Sequence, residues 1–161
     1  LKFAKWHFDF NHFLNQPLLM EKYLHSYRAQ ITHYAAHSMS IIDQGILLWN
    51  CIHHTINLYQ AQHPDWLFRR HEDLSRNPMQ AYRDIFTSLN LEFTAAVSEQ
   101  IEFSSGSHNP VEQNPNNQFV RNSKLNVKNW LNRLSIDEVA YIKDKTSDVA
   151  HFYYSEDDWG K

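Results

Sequence analysis

The stretch from Ser40 to Gln62 most constrains what this chain can become. Ile42, Ile46, Leu47, Trp49, Ile52, Ile56 and Tyr59 recur at the spacing of a helix. His63-Pro64 closes the run, because the residue before a proline is pushed out of the helical region. A helix of that length with one apolar face needs other elements to bury it, so the chain reads as helix-rich.

The flanking sequence continues the pattern. Pro17 suits a first helical position, and Leu18, Leu19, Tyr23, Leu24, Tyr27 and Ile31 follow at helical spacing. Asn77-Pro78 is an N-cap followed by an N1 proline, ahead of the stripe Met79, Tyr82, Ile85, Phe86 and Leu89. Asn90 suits a C-terminal stop, and Thr94 caps a shorter helix predicted to end near Ile101. Residues 103–129 are polar, with Asn-Pro turns and little period, and read as one long loop. Ser135-Ile136-Asp137-Glu138 is a capping-box pattern, opening a last helix that runs to about Val149.

Trp66-Leu67-Phe68 reads differently. It is a short apolar run that stops on Arg69-Arg70-His71-Glu72-Asp73, and the pattern predicts one buried strand. Adjacent strand residues point to opposite faces, so Glu72 and Asp73 would not share one substrate atom. Their expected roles are structural, one paired with Arg69 or Arg70 and the other bracing the turn before Asn77. A lone strand does not stand by itself. That, with the absence of an initiator Met, leads to the expectation that this is a piece of a longer protein whose sheet partners lie upstream.

The 161 residues carry 42% hydrophobic and 14% aromatic side chains, a globular composition. A net charge of −3 argues against general nucleic-acid binding, and no run is apolar enough for a membrane span. Cys51 is the one cysteine, and no Asn-x-Ser/Thr acceptor occurs. Both lean towards a reducing cytoplasm. The three glycines, Gly45, Gly106 and Gly160, build neither a GxxxxGK[ST] nor a GxGxxG phosphate cradle.

The order of features resembles the C-terminal half of sulfotransferases that use 3′-phosphoadenosine-5′-phosphosulfate. In that family a Trp-bearing helix leads to a strand ending in Tyr-Glu-Asp-Leu, a Pro, a helix and a Leu-Gly-Leu-like turn. Here Trp49, WLFRRHEDL, Asn77-Pro78 and IFTSLNLEF follow in that order. A basic loop, a Trp and a Leu-Ser-x-x-Glu helix start come next in the family, matched by FVRNSKLNVKNWLNRLSIDE, and FYYSEDDW matches the family's end. The resemblance covers about residues 40–159. It implies an α/β, P-loop NTPase-like fold, of which this chain is the mainly helical C-terminal part with about one strand. The expected organisation is a single domain over 1–161, with substrate-side helices in 1–39 and cofactor-side elements in 40–161.

The implied reaction is transfer of a sulfuryl group from 3′-phosphoadenosine-5′-phosphosulfate (PAPS) to a hydroxyl or amine of a small-molecule or carbohydrate acceptor, with no metal. The 5′-phosphosulfate loop and the catalytic base would lie upstream of Leu1, so the isolated chain is expected to hold cofactor poorly and to be inactive. On this resemblance, Arg121, Ser123 and Lys124 hold the nucleotide's 3′-phosphate, a group suited to bidentate arginine. Lys128 is a reserve charge. His71 stands where the family has Tyr, at the adenine end, and Ser104 and Ser105 lie near adenine and ribose. Each has a plainer reading: a strand-end histidine, a loop, a solvated basic segment. Trp130 reads as a core anchor.

Eleven histidines invite a metal reading, and His33 and His37 share a helix face at i, i+4. No HExxH and no third ligand accompany them, so they read as surface. His7 and His12, among the aromatics Trp6, Phe8, Phe10 and Phe13, would face the acceptor or pack. The rival to the enzyme is a non-enzymatic helical interaction domain, its Trp and Tyr residues forming a partner surface.

Overall fold

The computed structural model describes residues 7–111 and 120–160. The chain divides into two compact units, one formed by 1–66 with 134–161 and the other by 67–133. Trp6 and the middle of the long polar segment, 112–119, lie outside the described residues.

In the first unit, α1 (Asn11–Leu14), α2 (Pro17–Lys22) and α3 (Arg28–Ala36) are short, with a 3-10 turn at His25–Tyr27. The single helical period from Leu18 to Ile31 is therefore broken after Lys22. α4 (Ile41–Gln62) begins at Ser40, whose hydroxyl accepts from the Asp43 N–H at 3.1 Å. That bond satisfies one orphan donor of the first turn. Phe10, Met20, Leu24 and Ile31 are buried together with Leu47 and Cys51 of α4. Full burial of such side chains stabilises by about 1.5–3 kcal/mol each relative to exposure.

α9 (Ile136–Ala150) packs along α4. Both halves of its capping box form: Ser135 accepts from the Glu138 N–H, and Glu138 accepts from the Ser135 N–H at 2.7 Å. Three long-range hydrogen bonds join α4 to the C-terminal segment. Tyr141 Oη donates to Asp43 Oδ1 at 2.8 Å, Asn50 Nδ2 to the Lys145 carbonyl at 3.0 Å, and Tyr153 Oη to the His53 carbonyl at 3.0 Å. α10 (Glu156–Trp159) closes the unit.

The second unit holds α5 (His71–Arg76), α6 (Pro78–Ser88), α7 (Ala95–Ser105) and α8 (Ser123–Asn126), then a 3-10 turn at Asn129–Asn132. Asn90 ends the α6 turn with φ 54°, the left-handed conformation that asparagine tolerates better than most residues. Ile101 is its one buried hydrophobic residue among those described.

The expected strand is absent, and so is the α/β, P-loop NTPase-like fold: the described residues contain helices and no strand. Leu67–Arg70 has no regular hydrogen-bonded structure, although Arg70 is extended at φ −75°, ψ 143°. The run has the apolarity of a strand, but no other strand lies among the described residues. The charged residues that follow open helix α5 instead. Glu72 and Asp73 occupy its first turn, where the helix dipole favours negative charge. Arg70 Nε and Nη2 bracket Asp73 at 2.8 and 2.6 Å, the arginine partner expected for one of the acids. α7 also outlasts its predicted end, running past Ile101 to Ser105.

Candidate functional site

The six residues singled out for the nucleotide, His71, Ser104, Ser105, Arg121, Ser123 and Lys124, all belong to the second unit. Helix ends position most of them. His71 begins α5, Ser104 and Ser105 form the last turn of α7, and Ser123 and Lys124 begin α8. Arg121 lies just before α8.

Hydrogen bonds connect five of the six. Ser123 Oγ lies 3.1 Å from the Ser75 carbonyl oxygen and 3.2 Å from that of Ser105, a three-centre arrangement for one hydroxyl proton. His71 Nε2 is 3.2 Å from the hydroxyl of Ser75, which is buried. The Arg121 N–H donates to the Ser104 carbonyl at 2.9 Å. Lys124 is brought beside them by its place after Ser123, and its side chain is exposed.

The hydroxyls themselves are committed inward. Ser104 Oγ donates to the Gln100 carbonyl at 2.9 Å, and Ser105 Oγ to the Ile101 carbonyl at 2.5 Å. This back-bonding to i−4 is how serine is accommodated in a helix. Neither keeps a proton to offer an anion, so both would act as acceptors towards sugar hydroxyls or base amines.

Sequence reasoning missed the residue that organises the cluster. Asn122 is 6% exposed and bonds through both ends of its amide group. Its Nδ2 donates to the Ser107 carbonyl at 2.9 Å, its Oδ1 accepts from the Leu125 N–H at 3.1 Å, and its backbone N–H donates to Pro110 at 2.8 Å. It caps α8 and ties residues 120–122 to the 107–110 turn at once. Asparagine before a Ser-Lys-Leu-Asn turn is an N-cap signal that was available. Its contacts with Ser107 and Pro110 had no local signature. Asn109, also buried, adds a bond from Nδ2 to the Phe103 carbonyl at 2.9 Å.

From Arg121 to Arg133 the sequence carries Arg121, Lys124, Lys128 and Arg133 and no acidic residue, in a chain of net charge −3. The arrangement offers anions a local positive segment on a pinned backbone. Trp130, read as a core anchor, is half-buried in the 3-10 turn. No group of three or more His, Cys, Asp or Glu side chains suited to a metal occurs among the described residues. His33 and His37 stack on one another at 4.3 Å, and the His37 Nδ1 lies 2.9 Å from the His33 carbonyl. No helix among the described residues is long and apolar enough to cross a membrane.

The chain is similar to carbohydrate sulfotransferase 1 of Danio rerio, with 31% identity over 85 residues, 50% of this chain and 20% of that protein. The chain thus aligns with about a fifth of that relative's length. No protein-family profile matches the chain. No solved structure matches it either.

Proposed function

We propose that this chain is the nucleotide-holding part of a sulfotransferase, the whole protein transferring a sulfuryl group from PAPS to a hydroxyl or amine on a carbohydrate. Arg121 and Lys124 supply cations to the 3′-phosphate, and Ser123 fixes where that pair begins. His71 meets the adenine by stacking or hydrogen bonding, and Ser104 and Ser105 present acceptor oxygens to the ribose and base. Sulfuryl transfer asks a protein to align donor and acceptor and to stabilise charge on the leaving oxygen. The residues named here serve the first task by anchoring the nucleotide.

The observation that carries the reading is the Ser123 hydroxyl placed between the carbonyls of Ser75 and Ser105. It gathers the ends of α5, α7 and α8, the three places from which the proposed contacts come. Similarity to a carbohydrate sulfotransferase supports the reaction class and the acceptor class. The test is an amide chemical-shift titration of the full chain with adenosine 3′,5′-bisphosphate at millimolar concentration. Shifts confined to 71–75, 104–106 and 121–125, and weaker shifts with adenosine 5′-monophosphate, are expected. Equal responses to the two nucleotides would remove the 3′-phosphate site.

A non-enzymatic interaction role has one observation in its favour. In the second unit Tyr82, Leu89, Leu91, Phe103 and Leu125 are all exposed. Exposed apolar side chains mark a partner surface where they are contiguous. Silence towards both nucleotides in the same titration would leave that role as the better account.

A further inference from the structure

A cleft of about 90 Å³ opens between α3, α4 and α9 in the first unit. Helical spacing puts residues of one face on each wall. α3 gives Gln30 and Tyr34, and α9 gives Tyr141 and Lys145. α4 gives Asp43 and Asn50, together with the buried Ile46 and Leu47. Two bonds described above join these walls, from Tyr141 Oη to Asp43 and from Asn50 Nδ2 to the Lys145 carbonyl.

The polar groups around the cleft are not all satisfied. Asn50 Oδ1 is buried and has no donor. Buried polar atoms are nearly always paired, so an orphan of this kind calls for a bound donor. The Tyr34 hydroxyl and the Gln30 amide also make no hydrogen bond to another group among the described residues. Three side-chain oxygens with spare acceptor capacity therefore line one small cleft. The charge there is negative at Asp43, whose carboxylate accepts from Tyr141 at 2.8 Å and Ser40 at 2.6 Å. Burial, and then Asp43, hold the Tyr34 phenol above its ordinary pKa, and the bond to Asp43 does the same for Tyr141. The field that disfavours a second anion favours a cation. Lys145 is the cation among the lining residues, but its Nζ lies 3.0 Å from Asp144 Oδ2 and its side chain is 53% exposed.

We propose that this cleft binds a small primary ammonium ligand. The three N–H donors of an ammonium group match the oxygens of Tyr34, Gln30 and Asn50, and Asp43 balances the charge. The Tyr34 and Tyr141 rings add faces that attract a cation, and Ile46 and Leu47 give its short carbon chain an apolar surface. A cavity of about 150 Å³ admits a benzene ring, so this one suits about three or four non-hydrogen atoms. A quaternary ammonium has the charge but no N–H, and would leave Asn50 Oδ1 unpaired. An anion would meet Asp43. The proposal uses none of the residues assigned to the nucleotide, and a chain that bound no nucleotide would still carry this cleft.

The experiment is an NMR titration of the full chain with ethylammonium chloride at constant ionic strength. Tetramethylammonium chloride and potassium chloride serve as comparisons. A ligand this small binds no tighter than the millimolar range. The side-chain amide signals of Gln30 and Asn50 and the backbone amides around Tyr34 are expected to shift with ethylammonium and not with the other two cations. Tyr34→Phe removes one acceptor but keeps the ring, whose centroid lies 5.4 Å from that of Phe10. It weakens ethylammonium binding roughly tenfold. Lys145→Met removes the competing charge and strengthens binding about twofold to fivefold. Thermal unfolding verifies that both variants keep the fold. Equal shifts with tetramethylammonium or potassium overturn the proposal, and so does the absence of shifts with ethylammonium. Undiminished binding by Tyr34→Phe, or weaker binding by Lys145→Met, also counts against it. Adenosine 3′,5′-bisphosphate, titrated separately, reports on 121–125 and decides the donor site independently.

Discussion

Ser123 Oγ donates towards the carbonyl of Ser75 across 48 residues of chain, at 3.1 Å. The same hydroxyl lies 3.2 Å from the carbonyl of Ser105, 18 residues away. One side chain therefore ties three helix ends in a unit whose apolar core is thin. Ser123→Ala leaves two carbonyls without this donor, and Ser75 is buried, so water replaces it poorly. A loss of about 1 kcal/mol is expected. Urea unfolding measures it, and Ser123→Thr, which keeps the hydroxyl, recovers most of it.

Lys124 separates binding from folding. Lys124 is exposed, and the backbone N–H of Arg121, not its side chain, makes the bond to Ser104. Removing the Lys124 charge should cost little stability. A charge-assisted hydrogen bond to a phosphate is worth about 1.5–3 kcal/mol, so Arg121→Ala weakens adenosine 3′,5′-bisphosphate binding roughly ten- to a hundredfold. Arg121→Lys keeps the charge but loses the planar fork, and recovers only part of the affinity. Isothermal titration calorimetry at constant ionic strength reads these differences, and unchanged affinity in Arg121→Ala counts against the site.

Gly106 follows the last turn of α7, and its position leaves no room for a side chain. A Cβ there would meet the Glu102 carbonyl oxygen at 2.5 Å and His108 Cε1 at 2.9 Å. The first obstacle is backbone within the helix whose end Gly106 caps, through its N–H to that same carbonyl at 2.9 Å. It cannot swing away as a side-chain tip can. Gly106→Ala is expected to cost about 1–3 kcal/mol, the range for overpacking. It should also loosen the 107–110 turn that Asn122 grips. Hydrogen exchange localises the effect: faster exchange at Asn122 and Leu125 is expected, with the amides of α4 unchanged.

How much of this was legible depends on the range of the interactions. Ser40–Gln62 was readable because a long periodic face and a terminating His-Pro are local signals. The same holds for the Ser135–Glu138 box, whose two bonds span three residues. Trp66-Leu67-Phe68 misled because apolar residues are necessary for a buried strand but not sufficient. Pairing is a property of the neighbour, and no neighbouring strand exists among the described residues. Ser104 and Ser105 were read as loop from their polarity, yet bonds back to Gln100 and Ile101 carry them inside α7. The gathering of α5, α7 and α8 by Ser123 was invisible as a contact, because nothing in a serine announces a partner 48 residues away. What the sequence did hold was the residue types that would be useful there.

Cys51 makes the first unit sensitive to alkali. It is 1% exposed in the core beside α2 and α3, and burial pushes its thiol up to about 12 from an ordinary value near 9. Its folded-state pKa is raised, so the folded chain keeps a proton that the unfolded chain releases. Stability is fully present below about pH 9 and falls as pH rises towards 12. At about 1.36 kcal/mol per pKa unit the full effect is bounded near 4 kcal/mol. Burial also raises the phenols of Tyr27, Tyr34 and Tyr153 in the same unit, which steepens the fall above their ordinary range near 10. Cys51→Ala gives up about 1 kcal/mol or more of packing at neutral pH but removes the thiol's share of the alkaline loss. Urea midpoints at about pH 7 and about pH 10.5 should therefore converge for the two proteins as the pH rises. Parallel losses in both would mean that the tyrosines alone set the alkaline limit.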